Sequence, residues 1–127
     1  MSRTVLIDTS TWIAHFRTRS EHLTDLLLSD SALTHPMIWG ELACGTPPER
    51  VQSLADIQLL AQAQQASLGE VLTFVEKERL YGRGYGLIDL TLLASVILTP
   101  GAELWSLDRR LTVLAERYGV LHRPPSH

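Results

Sequence analysis

Two short aliphatic runs, Val5-Leu6-Ile7 near the start and Leu104-Trp105-Ser106-Leu107 near the end, each meet an aspartate and pass straight into a segment of helical periodicity. Asp8 leads into Thr9-Ser-Thr-Trp-Ile-Ala-His-Phe16, with Trp12, Ile13 and Phe16 at helical spacing. Asp108 leads into a segment with Leu111, Leu114 and Tyr118 on one face. Strands alternating with helices in this way imply an α/β layered domain built around a parallel sheet, in which function gathers at the carboxyl ends of the strands. Asp8 and Asp108 both belong to that edge, although 100 residues separate them.

The stretch between them fills out the pattern. Ser20 to Leu28 repeats a helical spacing through Leu23, Leu26 and Leu27, and Ala32-Leu-Thr-His35 reads as a second strand. Pro36 suits the first turn of a helix that carries Met37, Ile38, Glu41 and Leu42 and stops at Gly45, before the break Thr46-Pro-Pro48. A helix is expected from Pro48 to about Gln65, and another over 68–80, capped by Ser67 with Glu70 in capping-box position. Tyr81-Gly-Arg-Gly-Tyr-Gly86 is a glycine-rich loop, and a helix over about 87–98 ends at Pro100-Gly101. After the last helix, Val120-Leu121-His122 reads as an edge strand and 123–127 as a loose tail. With 127 residues, 45% of them hydrophobic, the chain suits one domain over 1–127: a three-layer α/β fold, a central parallel sheet flanked by helices.

No apolar run approaches the roughly 20 residues that span a bilayer, and the first apolar stretch meets Asp8 too soon for a signal-peptide core, so a soluble cytoplasmic protein with no membrane partner is expected. Cys44 is the only cysteine, which excludes an internal disulfide and any zinc site made of cysteine pairs; it is expected to be buried beside Glu41. The net charge of −3 argues at first against a nucleic-acid partner, but it conceals an asymmetry. Residues 1–76 hold four basic and nine acidic side chains, whereas 77–127 hold seven and five. Ten of the eleven basic residues are Arg, the side chain suited to bidentate phosphate contact.

Four acids interrupt apolar surroundings: Asp8 after Val5-Leu6-Ile7, Glu41 beside Ile38-Trp39 and Leu42, Asp89 within Leu87-Ile88 and Leu90, and Asp108 after Leu107. Mg²⁺ and Mn²⁺ are hard cations held by carboxylate oxygens, and metal-assisted phosphodiester cleavage needs several such groups converging. A structural alternative stands beside this one: Asp is a favoured helix N-cap, and Asp8, Asp89 and Asp108 all fall near expected helix starts. Glu41 lies mid-helix, where a glutamate turned to solvent is commonplace.

In four segments the chain resembles the PIN-domain family, specifically the VapC-type toxins of bacterial toxin–antitoxin pairs: Val5-Leu-Ile-Asp8-Thr-Ser-Thr-Trp-Ile; Trp39-Gly-Glu41-Leu-Ala-Cys-Gly45; Gly82-Arg-Gly-Tyr-Gly-Leu-Ile-Asp89-Leu-Thr-Leu-Leu-Ala-Ser95; and Leu104-Trp-Ser-Leu-Asp108-Arg-Arg-Leu. The resemblance implies that Asp8, Glu41, Asp89 and Asp108 bind Mg²⁺ or Mn²⁺ in an endoribonuclease that cuts RNA and inhibits translation. It also implies a cognate VapB-like antitoxin and a homodimer within the complex. Many relatives carry a further acid where Leu111 stands here, and a Thr in place of Ser106, which favours one tightly held ion in this chain.

Ser10, with Thr9, offers hydroxyls beside Asp8, which the resemblance implies would help position metal-bound water and which ordinary helix capping explains equally well. Arg83, Arg109 and Arg110 flank Asp89 and Asp108, where they would hold RNA phosphates or pair with the acids. Trp12 and Phe16 read as core, with base stacking by them or by Tyr81 and Tyr85 as the alternative. His15, His22, His35, His122 and His127 lack metal-ligand spacing and read as structural or solvated. Two other functional classes compete. A phospho-acceptor receiver module needs a Lys at the end of a late strand, and the only Lys, Lys77, lies within an expected helix; a PIN scaffold that binds RNA or protein without cutting would not need the four acids intact.

Overall fold

The computed structural model describes residues 3–125. The elements in chain order are β1 (Thr4–Ile7), α1 (Thr9–Arg17), α2 (Glu21–Leu28), β2 (Ala32–Thr34), α3 (Pro36–Ala43), α4 (Arg50–Gln58), β3 (Ala61–Gln62), α5 (Leu68–Glu78), α6 (Leu87–Leu98), β4 (Ala102–Trp105) and α7 (Arg109–Arg117). The four strands form one sheet in the order β3-β2-β1-β4 with every pairing parallel. β1 pairs along its whole length with β4, from Thr4 opposite Ala102 to Ile7 opposite Trp105. The expected α/β architecture, a parallel sheet flanked by helices, is therefore the observed one.

β1, β2 and β4 are short and mostly apolar because the middle of a parallel sheet is covered on both faces. Leu6, Ile7 and Leu104 have no exposed surface, and Val5 has almost none. α6 buries Leu90, Leu92, Leu93, Ala94 and Val96, so it presents apolar side chains nearly all round and runs through the core rather than over it. α5 starts with the anticipated capping box: Glu70 N–H donates to Ser67 Oγ while Ser67 N–H donates to the Glu70 carboxylate.

Three expectations need correction. The helix anticipated from Pro48 to about Gln65 ends at Gln58, and Ala61–Gln62 instead pairs with β2 as the sheet's edge strand. Ala, Gln and Leu favour a helix locally, but ladder bonds to β2 decide the outcome, and a two-residue exposed strand carries no alternation to betray it. Cys44 is exposed, because it lies at the carboxyl end of α3, beyond the turn that faces the core. The anticipated edge strand at 120–122 reduces to one parallel bridge, Leu104 to Leu121, flanked by bonds from Leu104 N–H to Val120 O and from His122 N–H to Leu104 O. Of the anticipated tail, 123–125 is without regular structure and exposed, while 126–127, with His127, lies outside the described residues.

His22 and His122 are woven into the framework. His122 Nδ1 donates to Glu103 at 2.9 Å, and Arg3 pairs with the same carboxylate. The Nε2 atoms of His22 and His122 are 2.8 Å apart in rings only 3° from parallel, which ties α2 to the segment after α7.

Candidate active site at the carboxyl edge of the sheet

The chain moves outward from β1 to β2 and β3, then returns to place β4 on the other side of β1. This reversal is the kind of point at which open parallel sheets bind ligands, just beyond the carboxyl ends of the strands. Asp8 follows β1 and Asp108 lies three residues after β4, so both acids flank it.

Asp8 is buried and heavily bonded. Its Oδ1 accepts Thr9 N–H at 2.8 Å, while its Oδ2 accepts two hydroxyls, Ser106 at 2.7 Å and Ser10 at 2.9 Å. The same hydroxyls reach onward: Ser106 Oγ accepts Asp108 N–H, and Ser10 Oγ accepts Leu107 N–H, both at 3.0 Å. Ser106 is thus a physical link between the two strand-end acids. Sequence reading registered it only as a departure from the family's Thr; a polar residue between Trp105 and Leu107 was the available signal.

Asp108 is a true N-cap, with Oδ1 accepting Arg110 N–H at 2.9 Å and Leu111 N–H at 3.1 Å. Asp89 is not a cap. α6 is capped by Gly86 without a side-chain bond, and Asp89 sits in the first helical turn, half-buried. Burial pushes its carboxyl up to about 6, and the charges of Asp8, Asp108 and Glu41 push the same way, with Arg110 opposing them. Glu41, on α3, is held by Thr9, whose hydroxyl donates to Oε1 at 2.7 Å. Four separate segments therefore bring the four sequence-selected acids into one electrostatic neighbourhood.

A carboxylate whose proton affinity is raised by three neighbouring acids marks a place where positive charge is wanted, and an all-oxygen donor set suits a hard divalent cation better than a soft one. Among the described residues no three acidic, imidazole or thiol groups are already gathered at ligating range. Asp8, Asp108 and Glu41 act on Asp89 through charge, and neighbouring hydroxyls steer Asp8 and Glu41.

Glu41 also lines a groove of about 470 Å³ with Ile13, Phe16, Arg17 and the turn through Thr46, Pro47 and Pro48. Arg83 and Arg109 are exposed. Arg110 is exposed too, but its guanidinium is engaged by the protein, donating to the Arg83 carbonyl and lying 5.3 Å from the centre of the Tyr85 ring. Trp12 is core and stacks on the partly buried Phe16.

Asp8 and Asp108 thus follow the two strands that flank the topological reversal of a parallel α/β sheet, with Asp89 and Glu41 within electrostatic reach. No protein-family model matches the chain. It is 41% identical over 116 residues, 91% of its own length and 94% of theirs, to Ribonuclease VapC32 of Mycobacterium tuberculosis, from strain CDC 1551 / Oshkosh and from strain ATCC 25618 / H37Rv. The chain belongs to the VapC ribonuclease family.

Proposed function

We propose that the chain is a divalent-metal-dependent endoribonuclease, a single PIN domain over 1–127 that acts as the toxin of a VapBC-type pair. The observation that supports this reading is the Ser106 hydroxyl that joins Asp8 to the Asp108 N–H beyond the ends of β1 and β4, with Asp89 raised to about 6 by burial and by the charges of Asp8, Asp108 and Glu41. These four side chains would hold the ion. A bound Mg²⁺ or Mn²⁺ supplies Lewis acidity toward the attacked phosphate and lowers the pKa of water.

The chain's own residues do the rest. Ser10 and Ser106 fix Asp8 through two hydroxyl bonds to one oxygen, and Thr9 fixes Glu41, so the carboxylates are oriented before substrate arrives. The exposed Arg83 and Arg109 stand near Asp89 and Asp108 in sequence and are suited to RNA phosphates. Cleavage of RNA in the cytoplasm would inhibit translation, a cognate VapB-like antitoxin would neutralise it, and the toxin would act as a homodimer in that complex. Purified protein freed of antitoxin should cut RNA in Mn²⁺ and stop in EDTA. Undiminished cleavage in EDTA would remove the metal from the mechanism.

A further inference from the structure

The segment Tyr81–Gly86 delivers the chain into the helical turn that bears Asp89, yet little within the segment fixes it. Gly82 and Gly84 take left-handed φ values of 70° and 82°, and Gly86 caps α6 without a side-chain bond. The restraint comes from α7. Arg110 donates from Nη2 to the Arg83 carbonyl, and its Cζ lies 5.3 Å from the centre of the Tyr85 ring. Its guanidinium is pressed so closely on Gly84 that a Cβ there would come within 2.8 Å of Nη2 and 3.3 Å of Nη1. The backbone N–H of the same residue donates to Asp108 Oδ1 at 2.9 Å. One residue therefore holds Asp108 through its main chain and the approach to Asp89 through its side chain.

We propose that Arg110 is a positioning residue that clamps the 82–86 segment and so keeps Asp89 in register with Asp108, and that it is not a ligand for RNA phosphate. The functional half of this proposal rests on the ribonuclease reading above. The clamp uses the planar fork for the carbonyl and the flat face for Tyr85, so a lysine keeps the charge without keeping the contacts. Gly84 is the matching half: only a residue without Cβ leaves room for the guanidinium and takes this backbone conformation readily.

The test compares full-length protein, freed of antitoxin, with Arg110→Gln and Arg110→Lys on a short RNA in Mn²⁺. A positioning role predicts that kcat falls about tenfold or more while KM stays within about threefold, since misplacing a reacting group costs rate rather than binding. The salt dependence of RNA binding should be unchanged, and Lys should not restore the rate. A phosphate ligand would instead raise KM, keep kcat, lower the salt slope by about one and be largely rescued by Lys; that result overturns the proposal. Amide hydrogen exchange gives a second readout that needs no catalysis. In both variants Leu90, whose N–H donates to the Gly86 carbonyl at 3.1 Å, should lose protection while 112–117 keep theirs, and Gly84→Ala should do the same. Unchanged protection at Leu90 overturns the clamp. A parent chain that cuts no RNA counts against the ribonuclease reading and leaves exchange to decide the clamp.

Discussion

Asp8, Asp89 and Asp108 look alike in the sequence, each an acid at the start of a helix, yet Asp89 caps nothing and Asp8 spends one oxygen entirely on hydroxyls. The sequence displayed all three, and Glu41, as acids in apolar company, because a charge stands out against apolar neighbours whether it ends buried, like Asp8, or exposed, like Asp108. It could not display what Ser106 and the guanidinium of Arg110 do, since those roles depend on partners 98 and 27 residues away. Asn caps about as well as Asp without the charge, so Asp→Asn variants isolate electrostatics. Asp89 titrates near 6 in the folded chain, above the ordinary 3.8. The stability it contributes is therefore complete below about 3.8 and lost as pH rises through 6. In EDTA the melting temperature of the parent should fall across that window relative to Asp89→Asn, and at pH 8 the variant should melt higher. Mg²⁺ at tenfold its dissociation constant should add about 1.4 kcal/mol to the parent, roughly 3–8 °C, and distinctly less to Asp8→Asn, Asp89→Asn and Asp108→Asn. Equal shifts in all four proteins would return these residues to a purely structural role.

Most helices were legible because their apolar periodicity and their caps are local properties, as the Ser67 capping box illustrates. β3 was not, since its two residues are a strand only by virtue of β2. The start of α3 shows a local signal with a distant purpose. Pro36 marks the first turn, but the cap is His35, whose Nδ1 accepts Met37 N–H at 3.0 Å. That assigns the ring proton to Nε2, which donates to Ser95 Oγ on α6 at 3.1 Å. Ser95 Oγ also accepts Ala66 N–H, so one imidazole joins α3, α6 and the approach to α5. Burial lowers the pKa of His35. The unfolded chain then takes up the proton more readily, and this residue's contribution is full above about 6.5 and lost as pH falls below it. His35→Asn keeps a competent cap and abolishes that dependence. Near pH 7.5 it should be less stable than the parent by about 1 kcal/mol for the lost buried bond, with the gap narrowing toward pH 5. A constant gap in denaturant midpoints across this range would separate His35 from the acid sensitivity.

For the molecule as a whole, hydrophobic runs announced how many major strands to expect but not their order, because periodicity within a strand says nothing about which neighbour it chooses. The pairing of β1 with β4 is nonetheless what brings Asp8 and Ser106 together. Leu104, fully buried beside Leu6 and bridged to Leu121 on its other side, sits at the middle of that arrangement. Leu104→Ala should cost about 2–5 kcal/mol in denaturant unfolding. A loss below 1 kcal/mol would mean that this seam is not central to the core. The same seam sets a timetable. Because β1 finds its second neighbour only when β4 exists, a chain growing on the ribosome exposes Asp8 long before it owns the strand that completes the site, and long-range closure of this kind is slow to form. We predict that stalled chains acquire site-specific Mn²⁺ affinity abruptly, once the segment through Asp108 has emerged; affinity in chains ending before Ala102 would contradict this. The fold would thus work as a delay, keeping the site of a ribonuclease incomplete until β4 and Asp108 have left the ribosome.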